Sequence, residues 1–106
     1  MAIFGGKSVD EKRLEYIQFI QELAKTCDLL VKHAENTEHY KRMQYIQDEV
    51  RYMLPIEKES IVNIDRKIKN ALGDLKLYLR TNRDPYRVQN RLDDLELLIS
   101  DRNTKI

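Results

Sequence analysis

Helix breakers are scarce in this chain. Its 106 residues include two prolines (Pro55, Pro85) and three glycines (Gly5, Gly6, Gly73). So few breakers imply long uninterrupted elements, which helices reach far more readily than strands. A single cysteine, Cys27, excludes an internal disulfide and points to a reducing, cytoplasmic compartment. No apolar run approaches the ~18 residues that would span a bilayer. The start, Met1 to Lys7, is too short and lacks the basic head of a secretory leader. Charge of one sign is missing as well. The formal net charge is +1, with the two signs interleaved, so neither nucleic acid nor an anionic membrane is an evident partner.

What is present is helical patterning. Hydrophobic residues make up 42% and charged residues 35%, a balance that suits one folded domain and no membrane span. Ser8 stands three residues before Glu11, a capping box that starts a helix. Ile17, Ile20, Ala24, Cys27, Val31 and Ala34 then follow at steps of three and four, and Tyr16, Phe19, Leu23 and Leu30 widen the stripe into a face. Asn36-Thr37 ends this helix, with Thr37 as the next N-cap. A second helix over 38–53 carries Met43, Ile46, Val50 and Met53.

Pro55 then either starts a new helix or kinks a continuous one, and a break is the favoured reading. A third helix over 56–81 carries Ile61, Ile64, Ile68, Leu72, Leu75 and Leu79. Asp84-Pro85, an N-cap followed by proline at the first helical position, opens a fourth helix to about Arg102 on Val88, Leu92, Leu95 and Ile99. Outward pairs four residues apart are expected between Asp28 and Lys32, Glu38 and Arg42, and Asp65 and Lys69.

The expected fold is therefore all-α, an antiparallel bundle of three or four helices with breaks near 36–37, 54–55 and 82–84. Residues 1–7 read as a flexible lead-in, 8–102 as the domain and 103–106 as a frayed tail. The first and third helices outrun the other two, so their apolar ends need a cover that a second copy can supply. A homodimer is expected on that ground.

Chemistry is thin. His33, Glu35, Glu38 and His39 put four potential metal ligands in seven residues, but the spacing crosses a turn and no metal or cofactor is expected. Glu35 with Glu38 and Asp93 with Glu96 are acidic pairs of the kind that can hold magnesium on facing helices. The first straddles the expected turn, so no such site is assigned. Cys27 lies mid-stripe and reads as a core residue rather than a nucleophile. Gly5-Gly6-Lys7-Ser8 lacks the rest of a phosphate loop. Ala2-Ile3-Phe4 is too short to anchor to a membrane.

Two clusters remain. Arg80, Arg83, Arg87 and Arg91 crowd one end beside Tyr86 and could grip phosphate, with Asp84, Asp93 and Asp94 close by as counter-charges. Tyr45 and Tyr52, seven apart on the second helix and away from Met43 and Ile46, sit with Arg51 like contact residues. The leading expectation is a non-enzymatic helical interaction or assembly module that self-associates through Tyr45, Tyr52 and Arg51. The alternative is a nucleic-acid or phosphate-binding module built on the four arginines.

Overall fold

The computed structural model describes residues 9–82 and 84–106. Four helices follow in order: α1 Val9–Ala34, α2 Tyr40–Arg51, α3 Glu59–Leu77 and α4 Pro85–Lys105. A π-helical turn, Tyr78–Asn82, extends α3. No strand occurs among the described residues. The capping box at Ser8, the lead-in 1–7 and Arg83 lie outside them.

Cross-helix pairs show the topology. Asp74 meets Arg91, and Asp65 meets Arg102. Moving down α3 thus means moving up α4, which makes the two antiparallel. Asp28 of α1 accepts from Gln47 of α2, 2.7 Å away. Tyr16 joins α1 to α3, and Arg42 joins α2 to α4. The bundle is all-α and antiparallel.

Three heptad-like stripes make the core. They are Ile20, Leu23, Cys27, Leu30 and Ala34 on α1, Ile61, Ile64, Ile68, Leu72 and Leu75 on α3, and Val88, Leu92, Leu95 and Ile99 on α4. Met43, Ile46 and Val50 of α2 complete it. Ile17, Ala24 and Val31, placed on the α1 stripe by spacing, are only half-buried. The core side takes in Leu23 and Leu30, expected at its edge, together with Ile20, Cys27 and Ala34.

Turn chemistry explains the first break. Asn36 takes φ 63°, a left-handed conformation that asparagine tolerates and that stops a helix. Thr37 Oγ1 donates to the Ala34 carbonyl at 2.7 Å and accepts from the His39 N–H at 3.2 Å. Asp84 caps α4 as expected, its carboxylate accepting from the Tyr86 N–H at 3.0 Å.

Pro55 lies in a real break. Residues 53–58 leave the helical conformation, so α3 begins three residues later than its spacing implies. Pro55 disfavours helix locally, and a tertiary contact then fixes the segment. An Arg102 Nη2 donates to the Leu54 carbonyl at 2.6 Å, which holds the segment in place as a chain rather than a helix. At the other terminus α4 continues to Lys105, past the point where fraying is expected from 103. Arg102 binds its last turns into the core, and Lys105 pairs with Asp101 at 2.8 Å.

The helices are staggered. The molecule is 54 Å long, whereas α1 spans only ~39 Å at 1.5 Å per residue. Arg42, two residues into α2, reaches Asp93 and Glu96, which lie eight and eleven residues into α4. The α3–α4 tip therefore projects beyond the α1–α2 turn by roughly 9 Å.

Candidate interaction surface

The outer face of α2 has a simple construction. Its core side is Met43, Ile46 and Val50. At 100° per residue the opposite side is Lys41, Tyr45, Asp48 and Tyr52, and all four are exposed. Tyr45 is 53% and Tyr52 77% accessible. Tyr45 forms the edge of a shallow groove with Lys41, Arg42 and Glu96. Leu54, two residues past Tyr52, is also exposed at 64%.

The two tyrosines singled out by spacing share this face, but Arg51 does not. Its guanidinium turns toward α1 and lies 3.7 Å from Asp28. Lys41 and Asp48, which the spacing argument passed over, occupy the stripe instead. They are seven residues apart, about 10.5 Å, too far to pair with each other. Neither has an ion-pair partner among the described residues.

The expected outward pairs are redrawn by neighbouring helices. Arg42 does not pair with Glu38. It spans to α4, with Nε donating to Glu96 at 3.2 Å and Nη2 to Asp93 at 2.6 Å. The Glu96 hydrogen bond is the main reason its pKa rises above the ordinary arginine value, in spite of partial burial. This also commits the Asp93–Glu96 acidic pair to a guanidinium rather than a cation site. Asp28 meets Gln47 and Arg51 instead of Lys32.

The arginine cluster is divided. Arg87 lies 3.8 Å from Asp84 and stacks over the Tyr78 ring at 5.7 Å. Arg91 pairs with Asp94 at 2.6 Å and approaches Asp74 at 3.7 Å. Arg83 is outside the described residues. Arg80 is exposed and has no ion-pair partner among them. Tyr86 is exposed too. The stagger of the helices opens a cleft of about 790 Å³ between the α1–α2 turn and the α3–α4 tip. His33, His39, Glu38, Leu79, Arg80 and Pro85 help to line it. The histidine-rich turn and one of the arginines, distant in sequence, thus share one wall-to-wall space. No three of the described His, Cys, Asp or Glu residues are grouped as metal ligands. His39 is buried with Nε2 3.6 Å from Glu38 Oε1.

A different polar site was hidden by the sequence pattern. Asp65 is wholly buried, not paired outward with Lys69. It accepts from Arg102 Nε at 2.7 Å and from Tyr16, while Arg102 Nη2 also binds the Leu54 carbonyl. Asp65 and Arg102 side chains are 0% and 1% exposed. Burial, then the hydrogen bond to Asp65, raises the Tyr16 pKa well above its usual value. A signal existed. Tyr16 lies in phase with Ile20 and Leu23, Asp65 with Ile61 and Ile68, and Arg102 with Leu95 and Ile99, each at a three- or four-residue step. Burial also pushes the Cys27 thiol up to about 12, which suits a core residue and not a nucleophile.

No helix among the described residues is long and apolar enough to cross a membrane. Comparisons with family models, with curated proteins and with solved structures give no match for this chain.

Proposed function

We propose that the protein is a non-enzymatic helical interaction module that assembles through the outer face of α2 and acts as a homo-oligomer. One observation carries the reading: Tyr45 and Tyr52 stand exposed on one stripe, directly opposite the core side of the same helix. Tyrosine supplies large contact area at low conformational cost, and exposed tyrosine pairs are typical of recognition surfaces. The original motive for a dimer, uncovered ends of the long helices, is weaker. The non-helical segment 53–58 follows the short α2 and is tied to α4 through Leu54.

The test is solution mass by light scattering at low and high loading, for the wild type and for Tyr45→Ala with Tyr52→Ala. Association that rises with loading in the wild type and drops in the double variant supports the reading. A monomer at every loading overturns self-association, and association untouched by the double variant removes this face from it.

A phosphate- or nucleic-acid-binding role remains the second reading, on the single ground that Arg80 helps to line the cleft without an ion pair among the described residues. Arg87 and Arg91 are already engaged by carboxylates, which lowers the charge on offer. Binding of an oligonucleotide that weakens steeply with salt supports it. No binding at low salt ends it.

A further inference from the structure

We propose that the occupant of the α2 face is the same helix of a second copy, packed antiparallel about a twofold axis that passes between Tyr45 and Asp48. The inference rests on the interaction reading above and specifies its partner, orientation and register.

The spacing of the stripe leads to the geometry. Lys41, Tyr45, Asp48 and Tyr52 follow at steps of four, three and four. That order reads the same in reverse. With the axis between Tyr45 and Asp48, every stripe residue lands opposite another: Lys41 opposite Tyr52 of the second copy, and Tyr45 opposite Asp48. Twofold symmetry then repeats both pairs.

The chemistry of these pairs is complementary. An ammonium over a tyrosine ring gains cation–π attraction. A phenol donating to a carboxylate makes a charge-assisted hydrogen bond. Lys41 also lies about 6 Å along the axis from Asp48 of the second copy, within reach of its flexible chain. The parallel alternative sets Lys41 against Lys41 and Asp48 against Asp48, which repels. Both charges lack an ion-pair partner in their own chain among the described residues. The antiparallel seam supplies one to each without any other molecule.

The seam is short. Lys41 to Tyr52 covers about 16.5 Å, so the buried area falls below the ~800 Å² per partner of a standard interface. The dimer is therefore weak and concentration-dependent.

Register-specific cross-linking tests this. Chains carrying Lys41→Cys and Tyr52→Cys are oxidised separately and as a mixture, with tags of different mass, alongside light scattering of the wild type up to about 1 mM. Position 41 faces 52 of the second copy, whereas 41 and its own symmetry mate are some 16 Å apart, beyond the ~7 Å limit of a disulfide. The mixture should link at least about tenfold more than either variant alone. Cys27, buried at 0% exposure, contributes no competing link. Because Tyr52→Cys removes a seam residue, a charge test runs in parallel. Asp48→Lys should weaken the dimer about three- to five-fold, and adding Lys41→Glu should restore it.

Self-linking of either variant at the level of the mixture overturns the antiparallel register. A wild-type dimer with no mixed link and no charge effect overturns the seam but leaves self-association standing, through another face. A wild-type monomer up to the highest concentration overturns both.

Discussion

The two ends of the bundle handle charge in opposite ways. At one end Asp65 and Arg102 are buried and the half-buried Tyr16 reaches in to them, so that both oxygens of the carboxylate accept from other helices. At the other end Arg80 and Arg87 are exposed and Arg91 is half-buried. Arg87–Asp84 and Arg91–Asp94 join residues three apart in sequence, and Arg91 approaches Asp74 of α3 as well. A surface pair in water contributes little, and losing it costs little. A buried pair is different, because removing one partner strands the other without solvent. The first end therefore specifies how the helices and the 53–58 segment fit together. The second holds its charges by partly exposed pairs and leaves Arg80 without an ion-pair partner among the described residues.

The largest effect that separates the ends is expected from Asp65→Ala. Arg102 would remain as an uncompensated buried charge, and the loss should reach ~3–5 kcal/mol in urea unfolding followed by circular dichroism. Replacing both partners by apolar residues, Asp65→Leu with Arg102→Met, should recover much of it. A loss below about 1 kcal/mol for Asp65→Ala would show that Arg102 is hydrated after all.

Alkaline titration probes the same interior. Tyr16 and Cys27 both hold their protons more tightly folded than unfolded. Above their ordinary values of 10.0 and 9.0 the unfolded chain releases protons first. Stability from these groups is thus fully present below pH 9 and is lost as pH rises through the folded values. The decline should be shallower in Tyr16→Phe and Cys27→Ala. A stability profile that stays flat from pH 9 to about 11 in the wild type counts against this account.

At the arginine-rich end the expected changes are smaller. Gly73 sits on the outside of α3, and an added Cβ there meets nothing within 4 Å. Gly73→Ala should raise stability by up to ~1 kcal/mol through helix propensity and unfolded-state entropy, and a lower melting temperature would reveal a neighbour at that position. Arg87→Gln should change unfolding free energy by less than ~0.5 kcal/mol. A larger drop would mean that its stacking on Tyr78 organises the π turn.

Much of the fold was legible beforehand for one reason. Burial on a helix repeats every three to four residues, so Leu92, Leu95 and Ile99, or Ile64, Ile68 and Leu72, declare both the helix and its inner side. The caps at Asp84-Pro85 and the stop at Asn36-Thr37 are equally local. The exposed tyrosines were readable too, since Tyr45 and Tyr52 fall away from the apolar phase. Periodicity assigns a side of a helix but not the neighbour it meets. Asp65 and Arg102 were in phase with core positions, yet an apolar-only pattern skips charged residues. Asp65, Arg42 and Asp28 were each matched with a residue four apart and found their partners on another helix.

By itself, then, the sequence determined the helical stretches, most of their inner stripes and the breaks at Asn36-Thr37 and before Pro85, because these depend on spacing and on turn residues a few positions apart. At Pro55 it favoured a break and left a kink open. Only the tertiary structure decided that Arg102 would reach Asp65 across 37 residues and Tyr16 would reach it across 49, that the Leu54 carbonyl would be bound by Arg102, and that the α3–α4 tip would overhang the first turn. A buried charge is tolerated only where partners meet it, and here those partners come from other parts of the chain, so the meeting is set by how the helices pack.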